Sequence, residues 1–194
     1  QENFFNRSLN EVIAEYSRVI KYSLGVENPD TLHLETLHAL GYLPLHIKAL
    51  PEGTMVNYGI PILTIKNTLF DYFWLVNFLE TWISADLWML CNNATLAYDY
   101  KVLCEEYAVK TCDSNEHVPF QCHDFSFRGM GGKECAMLSG MAHLSEFKGT
   151  DTIPAIQAME YYYGKNIENE LVGTSIPASE HSVMCAGGKD TELE

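Results

Sequence analysis

Val118-Pro-Phe-Gln-Cys-His123 opens the stretch that decides the fold, because a strand-like segment is followed there by helical and strand-like segments in alternation. Lys133 to Phe147 has the apolar spacing of a helix, Lys148 to Asp151 predicts a short strand or strand end, and Ile153 to Tyr163 predicts another helix. Leu171 to Ser175 predicts a third strand. Strands that alternate with helices indicate parallel pairing.

The chain before this stretch begins with two predicted helices. Arg7 to Leu24 places its apolar residues on one face, Ser8 and Glu11 have the spacing of a capping box, and Gly25 is placed to end the helix. Thr31 to Leu40 predicts a shorter helix, capped by the preceding Asp and ended by the following Gly.

A small antiparallel sheet and two more helices are predicted next. Leu43 to Leu50 predicts a strand, and Met55–Val56 and Ile60–Ile65 predict its partners after a Pro-Glu-Gly turn. Tyr72 to Leu90 predicts an aromatic-rich helix that ends at a break at residues 92–93, and Ala94 to Lys110 predicts a more polar one. The change of pattern predicts a domain boundary near residue 118.

Composition excludes several classes of protein. The chain has 194 residues, 47% of them hydrophobic, with a formal net charge of -14. That charge repels nucleic acid and anionic membrane surfaces. The most apolar stretch, Leu69 to Leu90, carries three acidic residues and predicts a buried helix rather than a membrane span. The polar start Gln1-Glu2-Asn3 predicts no signal peptide, and six Cys without a C-x-x-C pair predict reduced thiols in a cytoplasmic protein.

The first cluster of candidate site residues is His123-Asp-Phe-Ser-Phe-Arg-Gly129, directly after the first predicted parallel strand. Phe125 and Arg128 predict an aromatic platform and a cation for a flat, partly anionic ligand. The alternative is a loop in which Asp124 caps the next helix and the Phe side chains fill the core.

Two further clusters follow the second and third predicted strands. In Lys148-Gly-Thr-Asp-Thr152, Asp151 could accept a hydrogen bond from a ligand amide, or serve only as a helix cap. In Ser175-Ile-Pro-Ala-Ser-Glu-His-Ser182, where a helix begins after Ala178, backbone amides could hold an anion. His181 could be a base, a phosphate contact or a phosphoryl acceptor, or only a surface residue. Sites in α/β folds are assembled at such strand ends.

Two metal sites and a nucleotide loop are weaker alternatives. A zinc site from Cys122, His123 and Cys135 has no common ligand spacing. His123-Asp124 with Asp151 is similar to the metal ligands of phosphohydrolases, but those belong to all-helical domains. The glycines after Arg128 have the wrong spacing for a phosphate-binding loop. We predict no metal ligands in this chain.

In order and spacing, the clusters resemble the nicotinamide phosphoribosyltransferases from about residue 40 to the end. The matching segments are Gly41-Tyr-Leu-Pro-Leu-His-Ile-Lys-Ala-Leu-Pro-Glu-Gly53, His123-Asp-Phe-Ser-Phe-Arg-Gly129, Ala142-His143, Phe147-Lys-Gly-Thr-Asp-Thr152, and Ser175-Ile-Pro-Ala-Ser-Glu-His-Ser182 with Gly188-Lys-Asp190. The resemblance implies an α/β fold: residues 119–194 would start an irregular phosphoribosyltransferase-type α/β barrel, preceded in residues 1–118 by part of an α+β domain.

The resemblance also implies roles for individual residues. Phe125 would stack on the nicotinamide ring, and Asp151 would accept a hydrogen bond from its carboxamide. Arg128 would lie near the carboxamide and the diphosphate, and His181 would be the histidine phosphorylated when ATP hydrolysis is coupled to synthesis. The remaining implied substrate-binding residues are His123, Ser175, Ile176 and Ala178.

The resemblance implies a homodimer whose substrates are nicotinamide and phosphoribosyl diphosphate. It also implies Mg²⁺, bound mainly by segments absent here, and ATP as an optional coupled phosphoryl donor. Family members are longer, so we expect this chain to be a central piece that is inactive alone. Two alternatives stay open. One is a nicotinate phosphoribosyltransferase, which shares the fold; the other is a non-catalytic dimerisation or folding module.

Overall fold

The structure, a computed structural model, describes residues 2–188 and divides between Trp82 and Ile83 into two compact units. Each unit has a hydrophobic core of its own. The domain boundary predicted near residue 118 separates an α+β domain from the start of a barrel domain. The division of this chain into compact units does not test that boundary, which stays a prediction.

The first unit begins with the two predicted helices, α1 (Leu9–Leu24) and α2 (Leu32–Leu40). The predicted capping box is present: Glu11 N–H donates to Ser8 Oγ at 3.3 Å, and Ser8 N–H donates to Glu11 Oε2 at 3.2 Å. Gly25 ends α1 with a φ of 71°, a left-handed conformation that favours glycine. Local sequence signals therefore define both ends of this helix.

A two-stranded antiparallel sheet follows, formed by β1 (Leu45–Ala49) and β2 (Leu63–Asn67). The prediction of a small antiparallel sheet is confirmed, but the prediction of a strand at Met55–Val56 is wrong. Those residues lie in the connection between Gly53 and Gly59, whose φ values of 76° and 83° interrupt an extended backbone.

The core of the first unit forms where Leu37 of α2 meets Tyr72 and Leu75. Tyr72 is 9% exposed, and its hydroxyl donates to the carbonyl of Thr36 at 3.2 Å. The hydrogen bond satisfies the one polar atom of a ring that otherwise packs among apolar side chains.

Helix α3 runs without interruption from Trp74 to Thr111, so the predicted break at residues 92–93 is wrong. Asn disfavours a helix interior by at most about 0.7 kcal/mol. The side-chain amide of Asn93 donates to Ser139 Oγ at 2.9 Å, a tertiary contact that offsets this weak preference. Among the described residues, no helix has the length and apolar character that a membrane span requires.

The second unit contains the alternation predicted from the sequence. Its elements after α3 are β3 (His123–Asp124), α4 (Lys133–Leu144), β4 (Gly149–Thr150), α5 (Ile153–Tyr163) and α6 (His181–Ala186). Strands β3 and β4 pair in parallel, and Thr174 adds a parallel bridge to Gly149. Parallel pairing is thus confirmed, within a mixed α/β fold whose sheets are small.

The strand predicted from Val118 to His123 is mostly wrong. Val118–Phe120 is a single 3₁₀ turn, and only His123 and Asp124 are extended and paired. Pro119 has no N–H to donate to a strand neighbour, although its carbonyl accepts from Lys148 N–H at 2.7 Å. The third predicted strand is likewise reduced to the bridge at Thr174.

The core of the second unit lies between α4 and α5. The buried residues are Met141, Leu144, Ala155, Ala158, Met159 and Val172. The helices approach most closely at Gly140, where a Cβ atom would lie 2.5 Å from the Cβ of Ala155. Glycine at this position therefore sets the distance between the two helices.

We expect the added methyl of Gly140→Ala to overpack the α4–α5 contact at a cost of about 1–3 kcal/mol. Because alanine gains roughly 1 kcal/mol over glycine in a helix, the net destabilisation of the second unit should be up to about 2 kcal/mol. Urea unfolding followed by circular dichroism measures the change. Gly129→Ala is the matched control, since its Cβ would meet no atom within 4 Å. Equal unfolding midpoints for both variants would contradict the close contact.

Candidate functional site

The parallel strand segments bring the residues that follow them to one edge. Asp151 N–H donates to the carbonyl of Asp124 at 2.9 Å, and Thr150 N–H donates to that of Thr174 at 2.8 Å. Because the strands run in the same direction, the residues after each one emerge on the same side. Phe125, Asp151 and Ser175 are those residues, so one residue of each predicted cluster lies at this edge.

The carboxylate of Asp151 joins the first and third clusters. Its Oδ1 atom accepts from His123 Nε2 at 2.9 Å and from Ser175 Oγ at 2.5 Å. Since an ionised carboxylate only accepts, His123 carries its proton on Nε2. The hydroxyl of Ser175, and next the imidazole of His123, lower the pKa of Asp151. Asp151 is therefore held as an oriented anion. The alternative in which it serves only as a helix cap is wrong, because the N-cap residue of α5 is Thr152 and no side chain caps that helix.

Phe125 lies against the same imidazole. The rings of His123 and Phe125 are stacked, with their centroids 4.3 Å apart and an interplanar angle of 26°. Phe125 remains 60% exposed, and with Phe127, Arg128 and Asp151 it lines a shallow cleft. The alternative in which the two Phe side chains fill the core is wrong for the described residues, because Phe127 is also 42% exposed.

Asp124 shapes the turn that presents Phe125. Its side chain is buried, and Oδ1 accepts from Ser126 N–H at 2.8 Å, two residues along the chain. This local hydrogen bond starts the 3₁₀ turn Ser126–Gly129. The alternative in which Asp124 caps the next helix is wrong, because the N-cap residue of α4 is Gly132 and no side chain caps that helix.

Gly149, the glycine of the second cluster, permits the close approach of another group, which is the side chain of His123. A Cβ on Gly149 would lie 2.8 Å from His123 Nδ1 and 3.0 Å from the carbonyl oxygen of Cys122. On the same strand, the carbonyl of Gly149 accepts from His143 Nε2 at 2.9 Å. Burial is the largest effect on His143 and lowers its pKa. Sequence reasoning missed this support, because no local pattern links residues 143 and 149.

Three predicted site residues are not joined to this group. Ile176 and Ala178 are exposed after Ser175, and His181 is exposed at the start of α6. Over residues 2–188, no hydrogen bond, ion pair or ring contact links them to Asp151 or His123. Arg128 does take part, since its charge contributes to the lowered pKa of Asp151. Lys189 and Asp190 of the matching segments lie outside the described residues.

The described residues do not assemble a metal centre. Within them, no three or more His, Cys, Asp or Glu side chains are grouped so that they could hold an ion. The zinc alternative at Cys122, His123 and Cys135 therefore lacks a ligand set. Burial, together with the neighbouring Cys104, raises the pKa of the Cys122 thiol, which disfavours the thiolate that zinc binds.

Comparison with known proteins bears on this site. Residues 120–194 match the nicotinate phosphoribosyltransferase (NAPRTase) family. Over 193 residues the chain is 50% identical to a protein of Acinetobacter baylyi named nicotinamide phosphoribosyltransferase, covering 100% of this chain and 38% of that protein.

Two more distant relatives carry the same name. The Mycoplasma pneumoniae protein is 38% identical over 154 residues, with 78% of this chain and 31% of that protein covered. The Xanthomonas campestris protein is 35% identical over 155 residues, with 79% and 32% covered. The chain thus spans between 31% and 38% of the length of these relatives. By sequence, the chain is therefore similar to part of the proteins named nicotinamide phosphoribosyltransferase, and its residues 120–194 match the nicotinate phosphoribosyltransferase family.

Proposed function

We propose that this chain is the central segment of an enzyme that transfers phosphoribosyl from phosphoribosyl diphosphate to nicotinamide, giving nicotinamide mononucleotide in NAD salvage. One observation carries the proposal: an exposed aromatic ring and an oriented carboxylate, Phe125 and Asp151, border the same cleft. A planar amide needs this pair, one face to stack on and one acceptor for its NH₂ group.

The carboxylate accounts for the choice of substrate. Both hydrogen bonds to Asp151 within the described residues use Oδ1, which leaves Oδ2 for the ligand amide. A carboxylate is ionised at neutral pH, and the lowered pKa of Asp151 extends the ionised form to lower pH. Nicotinic acid would bring a second negative charge to the same place. An unpaired or repelled group at this position costs roughly 1–3 kcal/mol of binding free energy, which favours nicotinamide over nicotinic acid.

The reaction needs little covalent chemistry from the protein. The ring nitrogen of nicotinamide forms a bond to the anomeric carbon, and the bond from that carbon to diphosphate breaks with its electron pair leaving on diphosphate. The transition state resembles an oxocarbenium ion, so orientation and charge stabilisation dominate. Phe125 and Asp151 would supply the orientation, and Arg128 would face the anionic leaving group.

Other parts of the proposal rest on the resemblance. They are the phosphorylation of His181, contacts of Ile176 and Ala178 with the ligand, a homodimer in which the partner covers the open face of the nicotinamide ring, and an α/β barrel completed by further chain. Mg²⁺ would bind mainly outside this segment, and ATP would be an optional coupled phosphoryl donor. Within residues 2–188, no three His, Cys, Asp or Glu side chains are grouped so that they could hold the ion.

Two alternatives to this proposal each have one observation in their favour: the name of the matched family and the exposed aromatic side chains. The description names nicotinate, so a nicotinate phosphoribosyltransferase is the nearer one. Trp82 and Trp88 of α3 are each 66% exposed, which favours a folding or dimerisation module. Substrate preference separates the first alternative from our proposal, and turnover by the complete enzyme separates the second.

In the complete enzyme, we expect Asp151→Ser to reduce the preference for nicotinamide over nicotinic acid by about tenfold or more, the value of one charged hydrogen bond. The kcat/KM values for both substrates measure the effect. Asp113→Ser removes an exposed carboxylate at the end of α3 and should leave the preference unchanged. A wild-type enzyme that prefers nicotinic acid would refute the assignment of nicotinamide.

The purified chain of 194 residues should not form nicotinamide mononucleotide by itself. It has only 12 Lys and Arg against 26 Asp and Glu, too few cations for a phosphorylated diphosphate donor. Turnover measured by chromatography of the mononucleotide, with the complete enzyme as the positive control, tests this. Product formation by the isolated chain would overturn the expectation.

Ser175→Ala should raise the pKa of Asp151, because it removes the larger of the two hydrogen bonds that stabilise the ionised form. The carboxylate would then become protonated at a higher pH than in the wild type. Titration of the Asp151 carboxyl carbon by NMR measures the shift. Ser179→Ala, in the exposed segment before α6, is the control; equal shifts in both variants would contradict the role of Ser175.

A further inference from the structure

We infer that His123 is a positioning residue, which sets the orientation of both Asp151 and Phe125 and does not itself contact the ligand. The inference rests on the proposed function and assigns the substrate preference to a group behind the binding surface. The imidazole donates a hydrogen bond to the carboxylate and stacks on the aromatic platform.

The first contact fixes the plane of the carboxylate. The terminal torsion of an Asp side chain has a broad energy minimum, so an exposed carboxylate rotates freely. The side chain of Asp151 is 45% exposed, and two donors converge on its Oδ1 atom. Oδ2 is thereby directed away from both donors. Ser175 alone would leave the group free to turn about a single hydrogen bond.

The second contact fixes the tilt of the aromatic platform. Phe125 is 60% exposed, so little packing holds its ring in one orientation. The imidazole of His123 covers one face, with 4.3 Å between the ring centroids. Stacked aromatic pairs contribute about 0.5–1.5 kcal/mol beyond the area that they bury. A ligand ring would then stack on the face that remains open.

The imidazole itself is held firmly. The side chain of His123 is only 17% exposed, and Gly149 lies directly against its Nδ1 edge, where a Cβ would be 2.8 Å away. Nε2 is bonded to Asp151, and one ring face is covered by Phe125. The hydrogen bond therefore occupies Nε2, and the Nδ1 edge lies against the backbone of Gly149. In this inference His123 has a positioning role instead of the substrate-binding role that the resemblance implies.

Three substitutions of His123 in the complete enzyme separate the two contacts. His123→Ala removes both, and should raise the KM for nicotinamide about tenfold or more and reduce the preference for amide over acid by a similar factor. His123→Gln retains an N–H donor for Asp151 and should restore most of the preference. His123→Phe retains the stacked ring and should recover part of the KM without the preference.

The KM for phosphoribosyl diphosphate separates a positioning role of His123 from a role in fold stability alone. In all three variants, the KM for phosphoribosyl diphosphate should stay within about twofold of the wild type, because that substrate does not bind the positioned pair. His46→Ala, on an exposed position of β1, is the control and should change neither KM. Thermal unfolding identifies a variant that fails to fold, and the two conservative substitutions then carry the test.

The outcomes separate this inference from the proposed function. A wild-type enzyme that does not convert nicotinamide refutes the function. A wild-type enzyme that does, with His123 variants that keep the KM for nicotinamide and the amide preference, refutes the positioning role alone. Equal increases in the KM values for nicotinamide and phosphoribosyl diphosphate also refute the positioning role. So does a fall in kcat with both of these KM values unchanged.

Discussion

Parallel pairing of very short strand segments is the constraint on which the rest of the site depends. Only two residues of β3 and two of β4 pair, with one bridge at Thr174. Because these segments run in the same direction, residues separated by about 25 positions leave the sheet side by side. Beside this small sheet, α4 and α5 pack closely at Gly140, where a Cβ would also lie 3.2 Å from Asp124 Oδ2 and 3.3 Å from Thr152 Cγ2.

Electrostatics then act within a chain whose charge is strongly negative. The net charge of -14 would by itself disfavour another exposed carboxylate near a binding cleft. Hydrogen bonds from Ser175 and His123 compensate locally for this unfavourable field at Asp151. An acidic protein can thus present one defined anion to a neutral amide, while the anionic co-substrate requires cations from elsewhere.

Sequence patterns were sufficient where the signal lies within one turn or one helix. The capping box at Ser8 and the helix α5 were predicted correctly, because both depend on residues within one turn or one helix. Extended segments were overestimated at Val118–His123, where Pro119 prevents pairing. The false break at residues 92–93 has the opposite cause, since a contact from Asn93 to a distant helix outweighs a weak local preference.

In the candidate site, too, local features were predicted and long-range contacts were not. Its three clusters were predicted from residues that follow strand-like segments, and one residue of each does meet the others. The partners within the site were not predicted, because the link between His123 and Asp151 spans residues that no local pattern connects. His181, Ile176 and Ala178 lie after the last paired residue, where parallel pairing no longer determines the position of the chain.

The contact between Gly149 and His123 links the evolution of two positions. The missing side chain at 149 is the space that the imidazole edge occupies. A homologue with a larger residue at 149 would need a smaller side chain at 123 and a small shift of the carbonyl at 122, and the acceptor at 151 would then lose a donor. Covariation across an alignment should therefore connect 149 to 151 through 123, although 149 bears no side chain.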